Sequence, residues 1–185
     1  MIIIILIDGT GSIGYLSREV GFSAFRLPMN EPDLASSLYR KPGHLIRRLQ
    51  QIAVAIFLEE TAAHDVTPVQ YATLMAVRAH PGIDQLRVAQ AIGFDRTTIG
   101  GVVERLEKRG FLSRKPGERD RRTKQLHVTR AGRNLLDAMA GGVERAQQRM
   151  VEGLGKRDRI RFIAMLSKLV RINNDTSRVP VNAPN

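Results

Sequence analysis

Helix-capping signals in the middle of the chain constrain the fold more than any other feature of the sequence. Thr67 is a favoured N-cap residue, Pro68 suits the first helical position, and Gln70 completes a capping box, so the second helix begins here and continues through YATLMAVRA. Asp84 is another N-cap, in front of the apolar-periodic stretch QLRVAQAI, and Gly93 is suited to end that third helix. The sequence therefore predicts two successive helices separated by a Pro-Gly turn.

A fourth helix follows almost at once. Asp95 is its N-cap, the stretch RTTIGGVVERLEKR forms it, and Gly110 closes it. Its apolar residues recur at intervals of three and four and so share one face: Ile99, Val102, Val103 and Leu106. Two helices joined by a turn of about three residues form a helix-turn-helix. The fourth helix is then the recognition helix, with a buried apolar face and a polar outward face.

After Gly110 the periodicity changes from helix to strand. The stretches FLSRK and KQLHVT flank PGERDRR, which predicts a charged β-hairpin. Long amphipathic helices surround this unit: the first lies in LIRRLQQIAVAIFLEETAAHD, the fifth begins after the N-cap Thr129, and the sixth contains Ile160 and Ile163. Their apolar stripes exceed what a small helix-turn-helix lobe can cover, which predicts a two-fold partner.

The charge balance narrows the choice of partner. The 185 residues include 29 Lys and Arg against 18 Asp and Glu, a net charge of +11, which favours a polyanion such as nucleic acid. Cysteine is absent from the sequence, so disulfides, thiolate metal sites and a Cys nucleophile are excluded. The apolar start MIIIILI is far shorter than the roughly 20 residues that span a bilayer and lacks the pattern of a signal peptide, so the expected location is the cytoplasm.

The helix-turn-helix and the hairpin supply the candidate DNA contacts. Arginine reads guanine or phosphate, threonine donates to either or touches a thymine methyl, and an arginine-tipped arm suits the narrow minor groove. The candidates on the recognition helix are Arg96, Thr97, Thr98, Gly100, Gly101 and Arg105. The candidates on the hairpin are Arg114, Lys115, Arg119, Arg121, Arg122 and Lys124. The alternative for the hairpin is a charge run that is simply solvated.

Gly100 and Gly101 need an explanation, because each glycine costs on the order of 1 kcal/mol against Ala inside a helix. Their presence indicates a close approach to the backbone, and both DNA and another helix fit that requirement. In the hairpin, Asp120 is expected to hold a neighbouring arginine in place through a bidentate pair rather than to contact DNA.

From about residue 45 to residue 170 the order of elements resembles the MarR family of winged helix-turn-helix regulators. The segment DRTTIGGVVERLEKRGFLSRKPGERDRRTKQLHVTRAG is very similar to that family's recognition helix, wing and following helix start, residue by residue over 106–110, 120–122 and 126–132. The resemblance implies an obligate dimer built from the first, fifth and sixth helices. It also implies two recognition helices in successive major grooves of a pseudo-palindromic DNA operator.

The resemblance carries further expectations for single residues. It implies that Arg122 or Arg121 enters the minor groove. The sequence departs from the family at Gly100 and Gly101, where a larger polar or basic residue is more common. The stretch PGHLIRRLQQIA resembles the branch that controls the breakdown of aromatic acids, including nicotinate.

Members of that family commonly bind small aromatic acids or phenols in a cleft between the dimer helices and the DNA-binding lobe, with loss of DNA affinity. A cation, an imidazole and a phenol together suit an aromatic carboxylate effector. The candidate ligand contacts are Arg40, His44, Arg47, Gln51 and Tyr71. The alternative roles of the terminal His and Arg are to cap carbonyls or to contact phosphate.

The chain opens with an apolar run followed by Gly9, Gly11 and Gly14, the spacing of a dinucleotide-binding loop. Such a loop needs a helix that starts at it, a second strand and an acidic residue about 20 positions on. Glu31 lies between two prolines with no strand pattern before it. We therefore expect residues 1–28 to be a disordered tail or an upstream extension of a protein that begins at Met29, and an NAD-dependent enzyme is the remote alternative.

The sequence predicts a mainly α fold with a small β wing, in which a winged helix-turn-helix domain is joined to a helical dimerisation domain. The expected divisions are an extension over 1–38, dimerisation helices over 39–66 and 130–173, a winged helix-turn-helix over 67–129 and a flexible tail over 174–185. The expected function is a homodimeric, sequence-specific DNA-binding repressor of an aromatic-compound operon, and the alternative is a nonspecific nucleic-acid or nucleoid-binding protein. The histidines lack zinc-site spacing and no nucleophile motif occurs, so catalysis, metal and cofactor are not expected.

Overall fold

The fold is given by a computed structural model that describes residues 5–7, 13–15, 38–117, 124–177 and 179–181. Within these residues it has six α-helices: α1 (Pro42–Glu60), α2 (Pro68–Ala79), α3 (Gln85–Ile92), α4 (Arg96–Lys108), α5 (Arg130–Met150) and α6 (Lys156–Ile172). The strands pair as two antiparallel hairpins: β1 (Ile5–Ile7) with β2 (Ile13–Tyr15), and β3 (Leu112–Pro116) with β4 (Lys124–Val128). No helix in the described ranges is long and apolar enough to cross a membrane.

The predicted helix starts are confirmed. Thr67 and Gln70 form a capping box at the start of α2, with each side chain bonded to the backbone of the other residue. Asp84, Asp95 and Thr129 each accept a hydrogen bond from the backbone N–H three residues further on. Each cap satisfies a backbone donor that the first turn of a helix leaves without a partner.

The end of α1 differs from the sequence prediction, which continues the helix to residue 65. The helix ends at Glu60, and the buried Thr61 hydroxyl donates to the Phe57 carbonyl at 2.7 Å. A 3₁₀ turn over Ala62–His64 follows, and Asp65 then adopts a left-handed conformation with φ 49°. A left-handed residue cannot continue an α-helix, so the chain turns sharply here towards α2.

The main core lies beneath the helix-turn-helix. The predicted apolar face of α4 is confirmed, because its four members are fully buried: Ile99, Val102, Val103 and Leu106. Leu74 from α2, Val88 from α3 and Leu126 from β4 join the same cluster. A smaller cluster of Phe57, Val66 and Met139 packs α1 against α5. The polar face of α4 consequently points away from this core, towards solvent.

The hairpin of β3 and β4 is tied to the turn between α2 and α3. Its register pairs Leu112 with Val128 and Pro116 with Lys124. The Gly82 N–H donates to the Leu126 carbonyl at 2.9 Å, and the Leu126 N–H donates to the Ile83 carbonyl at 3.0 Å. This extra pairing fixes the hairpin as the wing of the helix-turn-helix.

Residues 1–45 and 46–185 form two compact units. In the first unit, β2 pairs antiparallel with β1, so that Gly14 lies opposite Leu6 within a strand. A dinucleotide-binding loop would open a helix at this point, so the described part of the motif has a different fold. Two short strands therefore lie in the segment that the sequence predicts as a disordered or upstream extension, and Gly9, Gly11, Met29 and Glu31 lie outside the described residues.

The described part of the C-terminal segment, which the sequence predicts as a flexible tail, contains a short turn. Asn174–Thr176 forms a 3₁₀ turn, and the Asn174 side-chain oxygen accepts a hydrogen bond from the Val181 N–H at 2.9 Å. A Cβ atom placed on Gly93 would lie 3.2 Å from a methyl group of Val181. Val181 therefore packs against the turn of the helix-turn-helix.

Candidate nucleic-acid interface

The first turn of α4 presents the predicted polar surface, with one change. Arg96, Thr97 and Thr98 are exposed. The Thr98 N–H and hydroxyl both donate to the Asp95 carboxylate, at 2.8 and 2.5 Å, and these bonds hold the pKa of that carboxyl below its usual range. The Thr98 hydroxyl is thus engaged in the helix cap, and its role as a DNA contact stays a prediction. Arg96 and Thr97 are the side chains of this turn that point to a groove-binding role.

The close approach expected at the paired glycines comes from α3 at Gly100. A Cβ atom at Gly100 would lie 3.0 Å from the Gln85 side-chain nitrogen, and that nitrogen donates to the Arg96 carbonyl at 3.2 Å. Gly100 therefore makes room for a link between the two helices of the helix-turn-helix. A Cβ at Gly101 would meet only the Arg105 guanidinium, at 3.5 Å, so this position is open.

The wing joins α4 through a contact that the sequence did not reveal. The Arg114 Nε atom lies 3.1 Å from a carboxylate oxygen of Glu107 on α4. This ion pair fixes the orientation of Arg114, which the sequence treats only as a DNA contact. Lys115 and Lys124 are exposed. The other predicted wing residues lie outside the described residues: Arg119, Asp120, Arg121 and Arg122.

Three of the five predicted ligand contacts have protein partners, and the other two are exposed. In the first unit, the His44 ring lies edge-on to Tyr39, with 5.3 Å between ring centroids, and Arg40 is exposed. In the second unit, Arg47 is exposed, the Gln51 side chain accepts a hydrogen bond from Arg48 at 3.0 Å, and Tyr71 is half-buried with its ring 5.8 Å from that of Phe57. Tyr71 therefore has a packing role, which its place in the sequence does not indicate.

Two cavities of the described region lie on the DNA-binding lobe. The first, of about 410 Å³, is lined by His80, Pro81, Gly82, Ile83, Arg87, Gln90 and Ala91. The second, of about 300 Å³, is lined by Leu86, Ala89, Gln90, Phe94, Arg96, Val179 and Pro180. Neither is lined by the predicted ligand contacts, so the location of an effector site stays a prediction.

An ion-pair cluster joins α1 to α5. Glu60 accepts from Arg145 at 3.0 Å and from Arg149 at 3.1 Å, and Arg149 also lies 2.7 Å from Glu59. The hydrogen bonds that Glu60 accepts from Arg145 and then from Arg149 lower the pKa of the Glu60 carboxyl, and the hydrogen bonds that Arg149 donates to Glu59 and Glu60 raise the pKa of Arg149. The sequence shows each residue type, but it does not show which residues meet across 85 or more positions.

Acidification is expected to weaken this cluster. The Glu60 carboxyl has a lower pKa in the folded state than in the unfolded state. Its stabilising effect is therefore present above the pKa of the unfolded state, and it is lost as the pH falls through the pKa of the folded state. We expect urea midpoints of the wild type to fall more steeply than those of Glu60→Gln between about pH 6 and pH 3. Replacement of the exposed Glu152 by Gln serves as the control. Equal pH profiles for the wild type and Glu60→Gln would contradict a stabilising role of the cluster.

Known proteins are similar to this chain in sequence and in fold. The MarR family model matches residues 64–123. The chain is 32% identical to the HTH-type transcriptional repressor NicR of Pseudomonas putida over 128 residues. This alignment covers 69% of this chain and 81% of NicR. BpsR of Bordetella bronchiseptica, whose DNA binding is regulated by 6-hydroxynicotinic acid, matches with TM-score 0.67 and 32% identity over 70% of this chain and 93% of BpsR. The structure of the repressor CouR bound to a 23-mer DNA duplex matches with a TM-score of 0.69 and 29% identity. This match covers 76% of this chain and 99% of CouR.

These matches decide one of the alternatives that the sequence left open. They are transcription regulators rather than enzymes, so the hypothesis of an NAD-dependent enzyme is set aside. The mainly helical fold with a two-stranded wing is the fold of these regulators, as predicted. This chain belongs to the MarR family of transcription regulators.

Proposed function

We propose that this protein is a cytoplasmic homodimeric repressor that binds a pseudo-palindromic operator and is released from it by a small aromatic acid. The observation that carries the proposal is the two-sided character of α4. Its apolar face is fully buried, while Arg96 and Thr97 are exposed at its N-terminal end beside a basic wing. Such a helix fits the major groove, and its N-terminus attracts phosphate as well. The wing residues, including Arg121 and Arg122, are proposed to enter the minor groove.

The unpartnered face of α6 supports the homodimer. None of its side chains is buried, and its large apolar residues are widely exposed, with Ile160 at 64% and Val170 at 66%. Exposed apolar area on this scale in a single helix marks a protein interface. A two-fold partner covers it and places two copies of α4 about one turn of DNA apart.

The relatives support the class of effector. BpsR responds to 6-hydroxynicotinic acid, an aromatic carboxylate. A guanidinium, an imidazole and a phenol in one cleft would bind such a molecule through its carboxylate and its ring. We propose that the dimer brings the predicted contacts into this role: Arg40, His44, Arg47, Gln51 and Tyr71.

The test of DNA recognition uses a duplex selected from a random library by the full-length protein, together with a scrambled duplex. Fluorescence anisotropy is expected to give an affinity for the selected duplex at least about 10³-fold tighter at physiological salt. Arg96→Ala is expected to lose about 1–3 kcal/mol on the selected duplex, because its guanidinium reaches base edges or phosphate. Lys108→Ala, at the other end of α4 and paired with Glu104 at 2.7 Å, is the control. Equal affinity for both duplexes would instead support nonspecific nucleic-acid binding.

The test of release adds 6-hydroxynicotinic acid, benzoate or 4-hydroxybenzoate to the protein bound to the selected duplex. An effector is expected to lower the anisotropy in a saturable way, because it binds the free dimer more tightly than the DNA-bound one. If each acid leaves the DNA affinity unchanged at millimolar concentration, the aromatic-acid class is wrong, and the DNA-binding result stands on its own.

A further inference from the structure

Arg109, at the C-terminal end of the recognition helix α4, reaches back to the segment that follows helix α1. Its two terminal nitrogens donate to two consecutive carbonyls, Nη1 to that of Asp65 at 2.5 Å and Nη2 to that of His64 at 3.2 Å. The Asp65 carboxylate lies 3.7 Å from the same guanidinium. A planar fork of donors matches this pair of acceptors, and the ammonium of a lysine does not.

The Arg109 guanidinium also lies over an aromatic ring. Its central carbon lies 5.0 Å from the centre of the Phe111 ring, within the range of a cation–π contact. Two-thirds of the Arg109 side chain is consequently withdrawn from solvent, with 32% exposed. A surface arginine engaged only with solvent or phosphate would not be held by two carbonyls and a ring together.

The two carbonyls that accept hydrogen bonds from Arg109 lie in the linker of residues 61–67, here called the joint. Residues 61–67 connect α1, a helix of the proposed dimer, to α2, the first helix of the DNA-binding lobe. Asp65 is the only non-glycine residue in the described ranges with a positive φ, so this joint has an uncommon backbone conformation. Contacts to its carbonyls limit how the joint moves.

The same end of α4 is fixed to α5. The Thr129 hydroxyl, which caps α5, donates to the Gly110 carbonyl at 2.7 Å, and the Thr129 N–H donates to the Phe111 carbonyl at 3.1 Å. Arg109 and Thr129 therefore connect the C-terminal end of the recognition helix to the segment after α1 and to the start of α5. The N-terminal end of α4, with Arg96, is the end left for DNA.

We propose that Arg109 is a positioning residue for operator recognition, which fixes the angle between α4 and the dimer helix α1 and thereby the spacing of the two recognition helices. The inference rests on the proposed function. Arg109 acts through the carbonyls of His64 and Asp65 and does not contact DNA. Its loss releases the joint, so the dimer accepts half-sites at spacings that the wild type rejects.

The test compares Arg109→Lys and Arg109→Gln with the control Lys108→Gln, which removes the same charge one residue away. The probes are the selected duplex and versions with one base pair inserted or deleted between its half-sites. One base pair changes the half-site distance by about 3.4 Å and rotates one site around the helix, so the wild type is expected to lose at least about tenfold in affinity. When the same base pair is inserted or deleted, both Arg109 variants are expected to lose less than about threefold in affinity. The control Lys108→Gln is expected to lose as much affinity as the wild type.

The salt dependence separates positioning from direct contact. The slope of log affinity against log salt falls by about one unit for each phosphate contact that is removed. Arg109→Gln is expected to keep the wild-type slope. If its slope falls by about one unit while Arg109→Lys binds as the wild type, Arg109 is a phosphate contact and the proposal is overturned. Wild-type discrimination of spacing in both variants overturns it as well.

A measurement without DNA keeps this proposal separate from the proposed function. Hydrogen–deuterium exchange of the free protein is expected to be faster for the amides of residues 61–66 in both Arg109 variants and unchanged in Lys108→Gln. Unchanged exchange in the Arg109 variants shows that the contacts of Arg109 do not hold the joint, and it overturns the proposal. If the wild type selects no duplex, the proposed function fails, and the positioning role falls with it even where exchange is faster.

Discussion

Replacement of Ile163 by aspartate is expected to convert the protein to a monomer and to reduce operator binding by at least about 100-fold. Ile163 lies on α6, where no side chain is buried, and shares a face with Ile160 and Val170. A carboxylate buried without a partner in an apolar interface costs several kcal/mol, which is enough to separate most dimers. A monomer brings a single α4 to the DNA and loses the gain from two linked half-sites. Light scattering after gel filtration measures the mass, and anisotropy on the selected duplex measures the binding.

The matched control is Lys168→Asp. Lys168 is five residues further along α6 and lies on the opposite side of the helix, so its replacement changes the charge by more and leaves the apolar face intact. It is expected to remain dimeric and to bind the selected duplex within a few-fold of the wild type. A dimeric Ile163→Asp protein with full operator affinity would show that this face of α6 is not the interface.

The helix starts could be predicted from the sequence because capping is a local interaction. The bonds at Asp84, Asp95 and Thr129 join groups three residues apart, so the residue type at each position nearly determines the contact. The buried face of α4 could be predicted for a related reason, since helical spacing alone decides which side chains share a face. The wing was predictable from the change of period after Gly110.

The remaining contacts depend on where distant elements meet. Arg109 joins residues 44 positions away, and Glu60 joins arginines 85 and 89 positions away. Periodicity and composition give no information about such pairs. At Gly100 the sequence showed that a close neighbour was needed, yet only the packing of α3 on α4 identifies it as Gln85. The packing of Tyr71 against Phe57 was hidden for the same reason.

Paired glycines occur a second time, in α5, where periodicity and composition do not indicate their importance. A Cβ atom on Gly142 would lie 2.5 Å from the Glu60 carbonyl oxygen and 3.4 Å from the Thr61 methyl group. Backbone atoms cannot withdraw as a flexible side chain can. The same atom on Gly141 would meet only the Arg145 guanidinium, at 3.6 Å. Gly142 thus lets the end of α1 lie directly on α5, where the cluster around Glu60 joins the two helices.

Alanine at these neighbouring positions is therefore expected to have opposite effects. Gly142→Ala is expected to destabilise the protein by about 1–3 kcal/mol, because α1 must move away from α5. Gly141→Ala is expected to stabilise it by about 0.5–1 kcal/mol, because alanine favours the helix and meets no obstacle. Urea unfolding at one fixed protein concentration measures both, since the stability of a dimer depends on concentration. If both replacements stabilise the protein, helix propensity alone decides the outcome, and the contact between Gly142 and the end of α1 does not hold the two helices together.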